Sequence, residues 1–417
     1  MKKLLTVTAV LTAFVLAAAD HYFDGTCDKD PLSYKSGEVM TFTITLKNKK
    51  SGETPVTGRR VKWQRRGDDN RTESGFASTD KPLVLKTAID QPGFVRITVE
   101  LLDDQGKPVK HRNSKFDGGA CADVNLLAMT NKPADFDSFW DGEYKKLIAT
   151  PYKTRLTEVK SKDPKVKVTK FSISTLPGHI DATGYILTPV NAKAKSLPIY
   201  GMFTGYGFGA TLINYNLAKK GNIVVQVTRQ GEAPDRDQAY YNALKNNECK
   251  GFCFRHNRDL YKNDFYNMII RGQRALQYAE TLPEWDGKTM TVQGGSMGGF
   301  QALAAAALNK KVSKCIAVVP WVADLEGYVK HGRMRGWRPD WVEQLAYFDT
   351  VNLASRIECP TRIEVGLGDY ICPPSGGMLL YRNLKCKKEL LLRQNCGHSH
   401  VPMDIHPELY NYTGDLK

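Results

Sequence analysis

The sequence predicts an α/β chain, a mostly parallel sheet flanked by helices, preceded by a small all-β sandwich. Three observations carry this. Residues 21–125 alternate apolar and polar side chains with a period of two. From about residue 130, short apolar runs of strand length alternate with stretches of helical length and spacing. A glycine-rich turn with a central serine joins one of those runs to an alanine-rich helix. The 417 residues give room for two or three domains at roughly 100–200 residues each. A composition of 41% hydrophobic and 25% charged residues is ordinary for a globular protein and excludes disorder, collagen and coiled coil.

The chain opens on a segment that reads as secretory. Lys2 and Lys3 precede a mostly apolar stretch from Leu4 to Leu16, and Ala17-Ala18-Ala19 provides small residues before Asp20. We expect residues 1–19 to be a signal peptide cleaved near Ala19, and the product to be periplasmic or secreted, with no membrane span. No Cys sits just after the cleavage point, which argues against a lipid anchor. An exported chain is permitted disulfides. Its nine cysteines are an odd number. Cys27 and Cys121 bracket the first region and could tie its ends. Cys249, Cys253 and His256 have a spacing that touches on zinc, but the fourth ligand is missing, so a disulfide or plain loop cysteines are the better reading. No metal site is expected.

The formal charge is +15, from 59 Lys and Arg against 44 Asp and Glu, and it is spread along the chain. No basic arm and no nucleic-acid motif accompany it, so no nucleic-acid partner is expected. The charge reads as a solvated basic surface, with attraction toward anionic polymers as the alternative.

The expected sandwich covers residues 20–126. Met40, Phe42, Ile44 and Leu46 alternate with polar neighbours, as do Val95, Ile97, Val99 and Leu101 with Arg96, Thr98 and Glu100. Such alternation means one buried face and one wet face. Turn signals at Ser36-Gly37, Ser51-Gly52, Gln91-Pro92-Gly93 and Gln105-Gly106 separate the runs. The second domain is expected over 127–417. Buried strands are predicted at 198–203, 223–228, 290–293, 315–319, 363–366 and 389–394, and a helix at 263–281. Strand and helix in alternation imply a parallel sheet covered on both faces.

The strand at 290–293 runs into Gly294-Gly295-Ser296-Met297-Gly298-Gly299, a G-x-S-x-G motif in the strand–turn–helix context of a nucleophile elbow. The turn would hold the Ser296 hydroxyl exposed at the sheet's C-terminal edge. No G-K-[ST] follows, so a phosphate loop is a poor fit. A nucleophilic serine needs a base, and the base an orienting carboxylate. In α/β-hydrolases the order is Ser, acid, His. Asp369 follows the strand at 363–366 and His398 follows the strand at 389–394, with His400 as a competitor.

Residues 133–400 resemble the acetyl xylan esterase/cephalosporin C deacetylase family of α/β-hydrolases. The resemblance rests on Pro133-Ala134-Asp135-Phe136-Asp137-Ser138-Phe139-Trp140, on the elbow around Ser296, and on Gly366-Leu367-Gly368-Asp369-Tyr370-Ile371-Cys372-Pro373-Pro374-Ser375. The interval from Asp369 to His398 fits the family and selects His398 over His400. The sandwich lies outside the resemblance. Three departures stand out: Met297 where the family has Gln, Ser399 where it has Glu, and Arg229-Gln230-Gly231 as a shortened Arg-Gly-Gln-Gly.

The resemblance implies an esterase that removes acetyl or similar small acyl groups from a carbohydrate ester through an acyl-enzyme, with no cofactor. Ser296 would be the nucleophile, His398 the base and Asp369 its orienting acid. The oxyanion would be held by the backbone N–H groups of Met297 and of Tyr206, which stands where the family places a Gly-Tyr. Residues 232–263 and 321–341 would shape the pocket, with Tyr206, Trp321 and Trp337 as candidate substrate-binding aromatics and simple core or lid packing as the alternative for the rings of these segments. Homo-oligomers are common in such a family. A serine peptidase, and a glycan-binding protein with a decayed hydrolase domain, are the rival readings.

Overall fold

The computed structural model describes residues 20–49, 51–398 and 409–413. The expected signal segment and His400 lie outside the described residues.

Eight strands form the first region: β1 (His21–Cys27), β2 (Met40–Asn48), β3 (Thr54–Pro55), β4 (Arg60–Gly67), β5 (Thr72–Ser78), β6 (Leu83–Thr87), β7 (Gly93–Leu101) and β8 (Lys115–Ala122). Among the described residues they make two antiparallel sheets, one with β1, β3 and β6 around β2, the other in the order β5-β4-β7-β8. The predicted alternation packs the sheets together. Met40, Phe42, Ile44 and Leu46 meet Val95, Ile97, Val99 and Leu101 in one buried cluster. Each such side chain contributes about 1.5–3 kcal/mol on burial.

The face of β7 expected to be wet is only partly so: Thr98 and Glu100 are half-buried, and Arg96 is covered. Arg96 is 7% exposed and β8 is buried from Phe116 to Ala122. A period of two distinguishes two faces, but it does not distinguish solvent from a second layer of protein. Here the second layer is the rest of the chain.

That remainder is built on ten strands: β9 (Thr154–Val159), β10 (Val166–Ile173), β11 (Ala182–Pro189), β12 (Leu197–Phe203), β13 (Ile223–Val227), β14 (Trp285–Gly295), β15 (Lys314–Val318), β16 (Thr361–Gly366), β17 (Lys388–Arg393) and β18 (Leu409–Thr413). Among the described residues they form one sheet in the order β18-β17-β16-β15-β14-β12-β13-β11-β10-β9. Pairing is parallel from β13 through β12 and β14 to β17, and antiparallel at both ends. This is a mixed α/β-hydrolase sheet. The antiparallel strands were not anticipated; β9 is almost wholly exposed and carries no burial pattern. Both faces of the sheet are covered. In β10, Phe171 and Ile173 join the main core while Val166 and Val168 join a separate cluster with Ala218 and Val224.

The helix Asp264–Ala279 starts where Asn263 accepts a hydrogen bond from Phe265 N at 2.8 Å. The helix Met297–Leu308 is buried along its whole length, as its alanine-rich surface, apolar but for Gln301, requires. It packs on β12, β14 and β15. β12 and β14 are neighbours, yet the chain leaves β12 toward β13 on the opposite side. The crevice at the C-terminal ends of β12 and β14 is therefore the topological switch point of the sheet, where open α/β sheets bind ligands.

Candidate active site

Ser296 sits at that crevice, between β14 and the helix Met297–Leu308. Its backbone is left-handed, with φ 56° and ψ −121°, a conformation that costs energy for a residue with a side chain. The turn is locked by three backbone bonds: Ser296 N donates to Val318 O at 2.8 Å, and Ser296 O accepts from Phe300 N and Trp321 N, both at 3.1 Å. The glycines around it are needed for space. A Cβ at position 294 would lie 2.1 Å from Gly298 O, and one at position 298 would lie 2.2 Å from Phe203 O.

The structure brings Ser296, His398 and Asp369 into one hydrogen-bonded line. His398 Nε2 is 2.9 Å from Ser296 Oγ, and His398 Nδ1 is 2.9 Å from Asp369 Oδ2. Asp369 is buried, and its Oδ1 accepts from Ile371 N at 2.8 Å and Cys372 N at 2.9 Å. Four bonds thus fix the orientation of the serine hydroxyl, the imidazole and the carboxylate.

The loop after β12 lies against the elbow. A Cβ on Gly205 would be 3.4 Å from Gly295 O and 3.9 Å from Ser296 Cβ. Arg229 holds this loop from behind: Nε donates to Gly205 O at 2.6 Å and Nη1 to Gly209 O at 3.4 Å. Neither Tyr206 N–H nor Met297 N–H meets an acceptor among the described residues. Met297 opens its helix, so its N–H is one of the orphan donors of the first turn. Both amides therefore flank Ser296 with their hydrogens uncommitted.

Tyr206 is 44% exposed and stands edge-on to Trp337, with ring centroids 4.9 Å apart. Phe254 flanks Trp337 on another side at 5.1 Å. Trp321 does not stand beside them as a substrate-facing ring. It is 2% exposed, stacked on Trp337 at 4.8 Å and tilted against Phe265 at 5.5 Å. Its indole N–H donates to Trp337 O. Trp321 thus backs Trp337 instead of lining the pocket.

Cys372 was not singled out from the sequence. Its thiol groups with Asp369 and His398 within 4.8 Å, the one cluster of potential metal ligands among the described residues. The carboxylate and imidazole there already hydrogen-bond each other, and burial beside Asp369 pushes the thiol well above its ordinary range. The donor set is spent on the serine line and fits a metal poorly. Cys249, Cys253 and His256 form no ligand cluster. No disulfide joins two cysteines among the described residues, although an exported chain would be permitted them.

A second set of residues, missed from the sequence, ties the first region to both loops of the site. Arg96 Nε donates to Gly368 O at 2.7 Å, and Arg96 Nη2 pairs with buried Asp117. Gln394 bonds Gly119 in both directions, accepting from its N at 2.8 Å and donating to its O at 3.0 Å. Asn395 Nδ2 donates to Phe23 O at 2.7 Å. Gly368 precedes Asp369, and Gln394 and Asn395 precede His398. The only sequence signal was an arginine in a strand otherwise flanked by uncharged core positions.

The fold and this constellation define an α/β-hydrolase. A family model for acetyl xylan esterases matches residues 127–335 and 324–416, and the chain belongs to that family. The first region precedes the match. An acetyl esterase of Xylanibacter ruminicola, Axe7A, is 28% identical over 289 residues, which cover 64% of this chain and 64% of that one. This chain therefore spans less than two thirds of that relative's length. Two solved structures share the fold. The acetyl xylan esterase from Paenibacillus sp. R4 has a TM-score of 0.56 at 24% identity, covering 67% of this chain and 94% of that one. Acetyl xylan esterase 1 from Thermoanaerobacterium sp. has a TM-score of 0.55 at 22% identity, covering 66% and 92%.

Proposed function

We propose that this chain is an exported serine esterase that removes acetyl groups from a carbohydrate or related ester through an acyl-enzyme. The observation that carries the reading is the hydrogen-bonded line from Ser296 through His398 to Asp369, set in an acetyl xylan esterase family fold. Residues 127–417 are the catalytic domain in this reading, and 20–126 a sandwich domain docked on it.

In the proposed reaction His398 Nδ1–H donates to Asp369, which leaves Nε2 free to accept the Ser296 hydroxyl proton. Ser296 Oγ then attacks the ester carbonyl carbon. The carbonyl oxygen becomes negative and swings toward the Met297 and Tyr206 N–H groups. One such donor is worth about 10²- to 10³-fold in rate. Asp369 stays ionised and stabilises the imidazolium, and its two backbone N–H donors keep it in place. Collapse of the tetrahedral intermediate expels the alcohol, which takes the proton from His398. Water, deprotonated by the same imidazole, clears the acetyl group. Tyr206 and Trp337 form the aromatic wall beside the acyl site, where a sugar ring can stack.

The test is acetate release from acetylated xylo-oligosaccharides. Ser296→Ala should abolish it, by about 10⁵-fold or more, with an unchanged unfolding midpoint. Turnover by the purified variant at the wild-type rate would refute the assignment.

A further inference from the structure

A cleft of about 420 Å³ opens between the sandwich and the catalytic unit, immediately beside the acid loop. Arg66, Asn70 and Thr72 form its sandwich wall, and Tyr328, Arg335 and Tyr370 its opposite wall, with Asp369 at its edge. None of these except Asp369 has a part in the proposed reaction.

The charges in the cleft are unequal. Arg66 is exposed and has no ion-pair partner among the described residues. Arg335 pairs at 2.7 Å with Asp340, whose side chain is 87% exposed; such a surface pair is worth little and yields readily to a better anion. Two further arginines line the cleft, Arg96 and Arg333, but they are committed to buried Asp117 and Asp324. Asp369 is committed to His398. The available charge is therefore positive and comes from two guanidinium groups on opposite walls. The wall opposite the sandwich also offers two aromatic rings. Tyr370 is 52% exposed with Arg96 5.3 Å from its centroid, and Tyr328 lies under the Arg335 guanidinium at 5.0 Å.

Guanidinium forks match carboxylates, and tyrosine rings accept the flat C–H face of a pyranose. The cleft volume lies within the range of small-ligand sites, roughly 300–1,000 Å³. The segment that forms one wall through Met334, Arg335 and Gly336 continues directly into Trp337, which faces Tyr206 beside Ser296. One polymer chain could thus lie in both places. We propose that this cleft is a subsite for a uronic-acid residue of the polysaccharide whose acetyl group is presented to Ser296, with Arg66 and Arg335 holding the sugar carboxylate. The sandwich domain then has a function: it supplies one wall of the substrate site.

This inference rests on the carbohydrate-ester reading for its substrate, but its test does not depend on turnover. Full-length protein is titrated calorimetrically with two unacetylated xylo-oligosaccharides of equal length, one neutral and one bearing a single glucuronic acid branch. The acidic oligosaccharide should bind about tenfold more tightly or better, the scale of a charge-assisted hydrogen-bond pair. Arg66→Gln should remove most of that ratio, Arg66→Glu should reverse it, and Arg335→Gln should reduce it. Equal binding of the two oligosaccharides by wild type would overturn the proposal, as would a ratio unchanged in both Arg66 variants. Inorganic sulfate displacing the acidic oligosaccharide at equal concentration would reduce the cleft to a general anion site and also overturn it. Failure of acetate release would count against the esterase reading alone.

Discussion

Replacing Arg96 with Met tests whether the sandwich holds the acid loop in register. The side chain is 9% exposed and reaches two targets at once, the Gly368 carbonyl at 2.7 Å and the Asp117 carboxylate. Methionine keeps much of the stem and removes both bonds. Losing a hydrogen bond from a charged donor costs about 1.5–3 kcal/mol. Breaking a buried ion pair costs about 3–5 kcal/mol, because the remaining charge is stranded. Asp117 is not fully stranded, since Lys115 Nζ stays 3.1 Å away on a side chain 29% exposed. The lower end, about 3 kcal/mol, is therefore the expected loss of stability. Activity should fall separately. Gly368 is bonded to Asp369, and a displacement of about 1 Å in a catalytic group can cost about 100-fold. We expect kcat for p-nitrophenyl acetate to drop about 10- to 100-fold with KM little changed. Urea unfolding followed by tryptophan fluorescence gives the stability. The double variant Arg96→Met/Asp117→Leu discriminates further. It removes the stranded charge, so stability should return, but the tie to Gly368 is still gone, so kcat should stay low. Wild-type kcat in Arg96→Met, or full rescue of kcat in the double variant, would show that the acid loop does not depend on the sandwich.

Three further outcomes are expected. His398→Ala should be far more damaging than His400→Ala in acetate release, because His398 lies on the line to Ser296; equal losses would overturn the choice. Acetyl esters should be hydrolysed with kcat/KM about 5- to 150-fold above butyryl esters, from the roughly 1–3 kcal/mol cost of overpacking a tight site. A p-nitrophenyl series that stays flat or rises with chain length would indicate an open apolar pocket. The third concerns pH. Burial pushes the Asp349 carboxyl up to about 7, against the lowering effect of three backbone N–H donors from Asp324, Leu325 and Val351. The native state then binds this proton more tightly than the unfolded chain does. Its stabilisation is complete below about pH 4 and is lost as pH rises through about 7. Relative to Asp349→Asn, wild type should lose up to about 1.4 kcal/mol per pH unit between pH 5 and 7 in urea unfolding. A difference that does not vary with pH would contradict this.

The parts of the molecule that were legible in the sequence are those where local chemistry and tertiary role agree. The β14–helix turn is spelled by glycines whose missing Cβ atoms prevent clashes near 2 Å, and the strands β12 to β17 are short apolar runs because both sheet faces are covered. Ser296, Asp369 and His398 are legible from the order that α/β-hydrolases share and from strand ends at one edge, and the family interval selects His398 over His400. What stayed hidden depended on partners distant in the chain. Arg96 read as solvent-facing because alternation is blind to what covers a face. Trp321 read as a pocket wall because an aromatic residue looks the same in front of Trp337 or behind it. The edge strand β9 has polar side chains on both faces and so no pattern to detect.

The contact at Gly368 also limits how this chain can be dissected. A Cβ there would come within 2.3 Å of an Asp117 backbone carbon, so the sandwich leaves position 368 no choice but glycine. Cutting the gene at residue 126 would lift that restriction while removing the hydrogen-bond partners of Gly368, Gln394 and Asn395. A shortened enzyme would need new residues at all three positions before it could be a fair comparison. The two halves are in this sense a single heritable unit, and grafting another accessory domain onto the catalytic portion would fail at these positions before substrate preference could be judged.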